Sequence, residues 1–497
     1  MPASFATSIY AFMGLPLVVI LGLNIIRKKP AGKIALTVGC TVSAIQIFSA
    51  LIGIVLLLQY NKTSISFSQF WDMKAVEGAS FFSVDVLSLT ALFAIGLSAF
   101  AAFNTAKPVV KDKALNFTNL VMVLLLGMNG IALVTDLFSL FVFMEITAVA
   151  SFVLISFFRT DTGIEGSFKY LVLDSIAAAF ILLGTAFIFI TTKSLQYATV
   201  FQVLSDWDAI ANPTLVIIGC VFLIAGLAVK AGLVPFHGWL PDAYQGAPAP
   251  VAVLLGGIVT KMAGVYAIIR IFSQIITNIP IISTCLMVFA LISVIFGSVA
   301  AINQQDMKRI LAYSSISQTG YIIIGVTCGN VIGFIGAVLH FFNHALFKTT
   351  LFVDCSAVQQ QAGTTDITKL GGLQKQMPFT SISSMLAFLS AAGIPPLSGF
   401  WSKLLIIIAA WQAFGIGIAS IALLASLLTA AYFLRLQRNV FFGPYNNELA
   451  DIKEAGGCFK FTETMLSAVT VIFGIGFPIL LLILQANGVF LDAYFRW

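Results

Sequence analysis

Residues 224–250 read IAGLAVKAGLVPFHGWLPDAYQGAPAP. The apolar run that holds them extends from 213 to 247, longer than the roughly 20 residues one helix needs to cross a bilayer. Pro235 lies inside it. A proline removes a backbone donor and bends a helix, freeing carbonyls that can hold water or a cation. Lys230 sits just before that break, far from either end of the run. The stretch reads as a discontinuous membrane helix with a charge near its middle. A second run, 378–412, repeats the pattern. Within its AFLSAAGIPPLSGFWSKLLIIIAAW (387–411), Gly393, Pro395, Pro396 and Gly399 break the helix and Lys403 follows.

Around these two breaks, apolar runs of spanning length fall at 8–26, 34–58, 82–104, 118–134, 136–157, 168–192, 249–271, 282–301, 310–327, 331–353, 418–436 and 464–487. With the two broken runs they make fourteen spans, an all-α polytopic membrane protein. Composition agrees: of 497 residues, 59% are hydrophobic and 9% charged, against about 25% charged in a soluble domain. The 45 Phe and 39 Gly suit lipid-facing bulk and close helix contacts. The net charge of +6 is spread through short loops with no dense basic stripe, which argues against a nucleic-acid partner. The six cysteines show neither CxxC nor Cys-His ligand spacing, so neither a disulfide framework nor an iron–sulfur site is expected. Residues 9–25 already serve as a first span, and no cleavable signal peptide is expected.

With the N-terminus outside, one set of loops carries seventeen Lys and Arg, among them Arg27, Lys28, Lys29, Lys308 and Arg309; the other set carries five, Lys62, Lys74, Lys193, Arg270 and Arg496. This positive-inside bias predicts a multi-pass protein of the cell membrane with both termini on the non-cytoplasmic side. The broken segments are spans 7 and 12, five apart. Because five is odd, spans 4–8 and 9–13 form two inverted five-helix repeats, the pattern of secondary transporters. The expected organisation is three N-terminal helices in 1–117, a first repeat in 118–271, a second in 282–436, and a cytoplasmic loop with the last helix in 437–497.

Charge inside a bilayer is expensive, so an unpaired ionisable residue there is rarely kept without a use. Glu145 lies well inside DLFSLFVFMEITAVASFVLISFF (136–158) and reads as a carboxylate paired with a lysine of another helix, or as a protonated packing residue. Lys230 is the obvious partner; in low dielectric, moving one member of such a pair changes the proton affinity of the other. Lys261 falls near the middle of APVAVLLGGIVTKMAGVYAIIRIF (249–272), a natural next relay, whereas Arg270 near its outer end reads as snorkelling. In GAVLHFFNHALFKTTLFVD (336–354), His340, His344 and Lys348 follow at i, i+4 and i+8, one face over two turns. Histidine both accepts and donates, so this ladder reads as a relay. A metal site is disfavoured, because the adjacent lysine would repel a cation. Lys348 lies nearest the cytoplasmic end of its helix, and snorkelling is its other reading. Lys403 is the last relay or the exchange point with the outside.

Flanking residues leave alternatives open. Asp242 reads as a backbone partner or an aid to proton intake, and Asp85 as a helix N-cap. Lys308 and Arg309, in NQQDMKRILAYSSISQTGY (303–321), read as topology anchors. Ser314, Ser315, Ser317 and Gln318 either line a hydrated path or hydrogen-bond between helices. There is no Walker motif, dinucleotide fingerprint or haem-type CxxCH. The chain is expected to hold no cofactor and no metal and to carry out no redox chemistry itself.

Several of these segments are similar to one known family. LFVFMEI, the 229–270 stretch from VKAGLVPFHGW to YAIIR, QQDMKRILAYSSISQTGY, HFFNHALFKTTLF and GIPPLSGFWSK resemble the proton-conducting antiporter-like subunits of respiratory complex I, multi-subunit cation/proton antiporters and membrane-bound hydrogenases, over roughly residues 80–445. The resemblance implies that Glu145 pairs with Lys230, that Lys261, His340 and His344 continue the path, and that Lys403 ends it; some relatives carry glutamate at that last position. The chain stops at Trp497 without the extra spans and lateral amphipathic helix of the largest relatives, and RLQRNVFFG (435–443) looks more like the hydrogenase and cation-antiporter members. The implied function is a proton-pumping membrane subunit of a redox-driven complex, with a sodium/proton antiporter subunit or a non-translocating structural subunit as alternatives. The implied partners are further membrane subunits, antiporter-like ones among them, a peripheral redox module, lipid, and protons or Na+.

Overall fold

A computed structural model of the protein describes residues 3–26, 31–59, 64–66, 81–276 and 279–486. Arg27, Lys28, Lys29, Lys62, Lys74 and Arg496 of the loop-charge tally lie outside the described residues, as do both chain ends. The architecture is nearly all helical: α1 (Ala3–Ile26), α2 (Ala31–Gln59), α3 (Val86–Val110), α4 (Ala114–Leu133), α5 (Leu137–Ile155), α6 (Asp161–Thr192), α7 (Tyr197–Ser205), α8 (Pro213–Ala231), α9 (Trp239–Gly246), α10 (Ala249–Leu254), α11 (Ala267–Ile271), α12 (Pro280–Ile302), α13 (Met307–Thr327), α14 (Val331–Ala362), α15 (Pro378–Ala392), α16 (Ser398–Phe414), α17 (Ile416–Gln437) and α18 (Gly457–Ala486). Two short antiparallel strands, β1 (Ser64–Ser66) and β2 (Ser83–Asp85), precede α3. Among the described residues, eleven helical stretches are long and apolar enough to cross a membrane, and three shorter apolar helices add to them.

Both broken runs are broken where Gly and Pro predicted. α8 stops at Gly232 and α15 at Gly393, each in the left-handed region (φ +70° and +82°) that glycine enters without a Cβ penalty. In each, the residue after the glycine donates back to the carbonyl five residues earlier: Leu233 to Ala228 and Ile394 to Leu389, both at 3.0 Å. The expectation of free carbonyls fails at these groups. Val229 O accepts from Gly232 N and from the Trp239 indole at 3.1 Å each, and Ala392 O from the Ser426 hydroxyl at 2.9 Å. At Ala392, four residues before Pro396, the Ser426 hydroxyl supplies the donor that proline withholds.

Helix ends also differ from the apolar runs. α6 begins at Asp161 and α14 continues to Ala362, because hydropathy marks the hydrocarbon-length portion while the helix runs on until a cap such as Thr160 or Gly363 stops it.

Small residues bring the site helices together. A Cβ at Gly184 of α6 would lie 2.6 Å from Gly219 O, and one at Gly226 of α8 2.6 Å from Ala177 O. Close backbone approach of this kind is how membrane helices associate where lipid offers no hydrophobic contrast. α13 is the least apolar of the spanning helices, yet it is enclosed. Its Ser314 and Ser317 hydroxyls meet Tyr432 (2.8 Å) and Ser298 (2.9 Å), so they serve as interhelical hydrogen bonds. Large apolar side chains such as Leu21, Ile25, Phe168, Leu424 and Leu427 face outward.

Candidate ion-relay site

The α6–α8 approach sets the first cluster. Lys230, one residue before the end of α8, is enclosed and donates to Asp174 Oδ1 at 2.7 Å and to Glu145 Oε1 at 3.0 Å. Glu145 is the predicted partner, and its side chain is 33% exposed on the flank of the bundle. Asp174, the shorter contact, is buried and is not among the residues that the sequence reading singles out. A signal for it exists: it is a lone aspartate inside the apolar run YLVLDSIAAAF (170–180). Two carboxylates on one ammonium leave the cluster with a net negative charge when all three are ionised.

Lys261 belongs to a wound-out stretch, Lys261–Tyr266, one of three π-helical segments in or just after the span Ala249–Ile271. Such widened turns recur at functional positions. A Cβ on Gly264 would collide with the Ala231 backbone, so this segment presses on the end of α8 beside Lys230. Lys261 Nζ donates to Thr319 Oγ1 of α13 at 2.6 Å.

α13 then serves as a common spine. Lys348 of α14 donates to its Leu311 carbonyl at 2.8 Å, and His340 Nε2 meets its Gln318 Oε1 at 3.0 Å. His344 lies between them within electrostatic reach of Lys261 and Lys348, its ring nitrogens without hydrogen-bond partners among the described residues. Lys348 is fully enclosed, so the snorkelling reading is corrected: its stem has no route to the rim. His340 Nδ1 meets Ser402 Oγ of α16 at 2.9 Å, and the next residue is Lys403. Lys403 is enclosed with its ammonium 4.6 Å from the Tyr321 ring centroid and 3.4 Å from Ser426 Oγ. Unlike Lys230, it has no carboxylate partner among the described residues.

Other expectations change. Arg270 does not snorkel; it is buried against Asp85 in a bidentate pair and donates to the Tyr266 hydroxyl at 2.6 Å. A buried guanidinium demands such a partner. Asp85 also closes a capping box with Ser88. Lys308 is buried and donates to Ala247 O at 2.9 Å, and is not a free topology anchor. Asp242 bridges Lys169 and Arg309, both at 2.6 Å, tying α6 and α9 to α13 at one rim. No group of three or more His, Cys, Asp or Glu suited to a metal occurs among the described residues.

Residues 134–429 match the transmembrane family of NADH:quinone oxidoreductase and Mrp antiporter subunits. The chain belongs to that family. All seven residues from Glu145 to Lys403 fall inside the matched region. The chain is 37% identical over 318 residues to an NADH-quinone oxidoreductase subunit of Desulforudis audaxviator, covering 63% of this chain and 62% of that one. It is 36% identical over 354 residues to an Na(+)/H(+) antiporter subunit of Alkalihalophilus pseudofirmus, covering 71% of each. Its fold matches a chain of the membrane-bound sulfane sulfur reductase, an archaeal respiratory membrane complex, with a TM-score of 0.86 at 29% identity over 97% of both chains. The family's members thus include both a quinone oxidoreductase subunit and an antiporter subunit.

Proposed function

We propose that this chain is an ion-translocating subunit of a multi-subunit membrane complex, moving protons along a buried lateral path. The observation that carries the reading is the row of enclosed basic groups Lys230, Lys261, His344 and Lys348, His340 and Lys403, threaded between two broken helices and tied to α13. The separation of Glu145 from Lys230 acts as the switch: drawing the carboxylate away weakens the hold on the lysine proton. The path runs from Lys230 through Lys261 to the ladder of α14 and ends at Lys403. The broken helices mark two inverted repeats, and the basic rim faces the cytoplasm of a cell-membrane protein with both termini on the other side.

Around His340 the chemistry is explicit. Gln318 Oε1 only accepts, so His340 Nε2 carries a hydrogen and neutral Nδ1 accepts from the Ser402 hydroxyl. Ser402 Oγ also lies 3.1 Å from Gly399 O. When Nδ1 takes a proton, the hydroxyl turns to that carbonyl and accepts from Nδ1. A proton is gained by rotating one hydroxyl, with no movement of heavy atoms.

A sodium path is the second reading, favoured by the 36% identity to an Na(+)/H(+) antiporter subunit. Sodium needs oxygen ligands, and Val229 O and Ala392 O, one at each break, already accept hydrogen bonds, which favours the proton. Transport by the reconstituted complex, followed with a protonophore present, separates the two. The proton reading expects no sodium uptake and an ion gradient that collapses; sodium uptake that persists would overturn it.

A further inference from the structure

A group of acids outside that path lies where α14 ends and α15 and α18 begin. Glu454, in the loop before α18, accepts from Phe379 N (2.8 Å) and from Thr380 Oγ1 (2.7 Å). Thr380 Oγ1 also lies 3.1 Å from Glu463 Oε1, one and a half turns into α18. Glu463 is 1% exposed and its Oε2 has no hydrogen-bond partner among the described residues. From the third helix comes Asp354, also 1% exposed and within electrostatic reach of the Glu463 carboxylate, with neither oxygen in a hydrogen bond among the described residues. Lys460 sits 5.2 Å over the Phe379 ring, and neither acid has an ion pair among the described residues.

Two enclosed carboxylates without a basic partner need their charge balanced by a proton or a small cation. A metal is disfavoured by the donor set, since these acids do not form a three-ligand group. Glu454 is only partly buried and Thr380 bridges it to Glu463, so a hydrogen-bonded line runs from the rim inward. Asp354 is six residues from Lys348 on the same helix, about 9 Å of rise.

We propose that Asp354 and Glu463 form a second proton-loading site on this rim, charged through Glu454 and Thr380 and discharging toward Lys348. A proton from rim water binds a Glu463 oxygen, passes to an Asp354 oxygen, and leaves by water to the Lys348 amine; each group returns to its starting state. This rests on the relay reading above and gives the second half of the path its own intake, separate from Lys230.

The test uses the assembled complex in proteoliposomes, with Asp354→Asn, Glu463→Gln, Asp354→Glu and Lys230→Ala compared. Asp354→Asn and Glu463→Gln are expected to lower acidification about tenfold or more, while Asp354→Glu restores it and the infrared difference spectrum loses one carboxylic C=O band in Asp354→Asn. Unchanged acidification or an unchanged band in Asp354→Asn overturns the proposal. If Asp354→Asn does not assemble, Glu463→Gln decides alone. Should wild-type transport require sodium and Asp354→Asn remove that requirement, the pair holds Na+ and the proton assignment is wrong. Lys230→Ala separates the two readings: if it pumps normally, the relay fails whatever Asp354→Asn does.

Discussion

The double variant Glu145→Gln/Asp174→Asn is expected to destabilise the bundle by about 3–5 kcal/mol, the typical cost of leaving one member of a buried ion pair uncompensated. Lys230 is enclosed, and these are its two carboxylate partners, at 3.0 and 2.7 Å. Either single variant leaves one partner and costs less. Asp174→Asn is the more damaging of the two, because Asp174 is buried whereas Glu145 is one-third exposed. Adding Lys230→Met to the double variant removes the stranded charge and is expected to recover most of the loss, as an apolar group of similar volume replaces a buried pair at little cost. Thermal unfolding of the purified complex reads all four proteins. A double variant that melts with the wild type would show that Lys230 is not held as described.

His340→Phe is expected to lower ion translocation about 10²-fold, the usual weight of a positioned proton-transfer group, while assembly is retained. The ring occupies a wholly enclosed site between Gln318 and Ser402, and phenylalanine fills it without a proton-carrying nitrogen. Ser402→Ala should give a smaller loss, since the ring keeps Gln318 but has no hydroxyl to turn. Ser402→Thr, which keeps the hydroxyl, should stay near wild type. Gradient formation by the reconstituted variants checks the order. If His340→Phe pumps normally, the path does not pass between α13 and α16.

The large features are legible in the sequence because each leaves a local mark. Gly232 and Gly393, each followed by proline within three residues, announce the two breaks. Lys230, Lys261 and Lys403 stand out as charges deep inside long apolar runs, and His340, His344 and Lys348 share a face by helix arithmetic alone. Pairing is less legible. Family likeness joins Glu145 to Lys230, but Asp174, though a lone aspartate in its apolar stretch, carries no mark of which lysine it meets. Asp354 and Glu463 lie over a hundred residues apart, and nothing in either segment says that α14, α15 and α18 converge. Arg270 reads as a lipid-edge residue because its place in sequence is near a helix end; its partner Asp85 is 185 residues away. The donors to Val229 O and Ala392 O escape the sequence for a similar reason, since an indole beyond the break and a hydroxyl from another helix supply them.

The proposed path is made of buried basic groups between the two broken helices. The most direct measurement is acidification by proteoliposomes containing the intact complex with Lys230→Ala and, separately, Lys403→Ala, the two ends of the path. Both complexes should assemble and retain their driving reaction, and both should lose gradient formation. Normal gradient formation in either variant would contradict the proposed path.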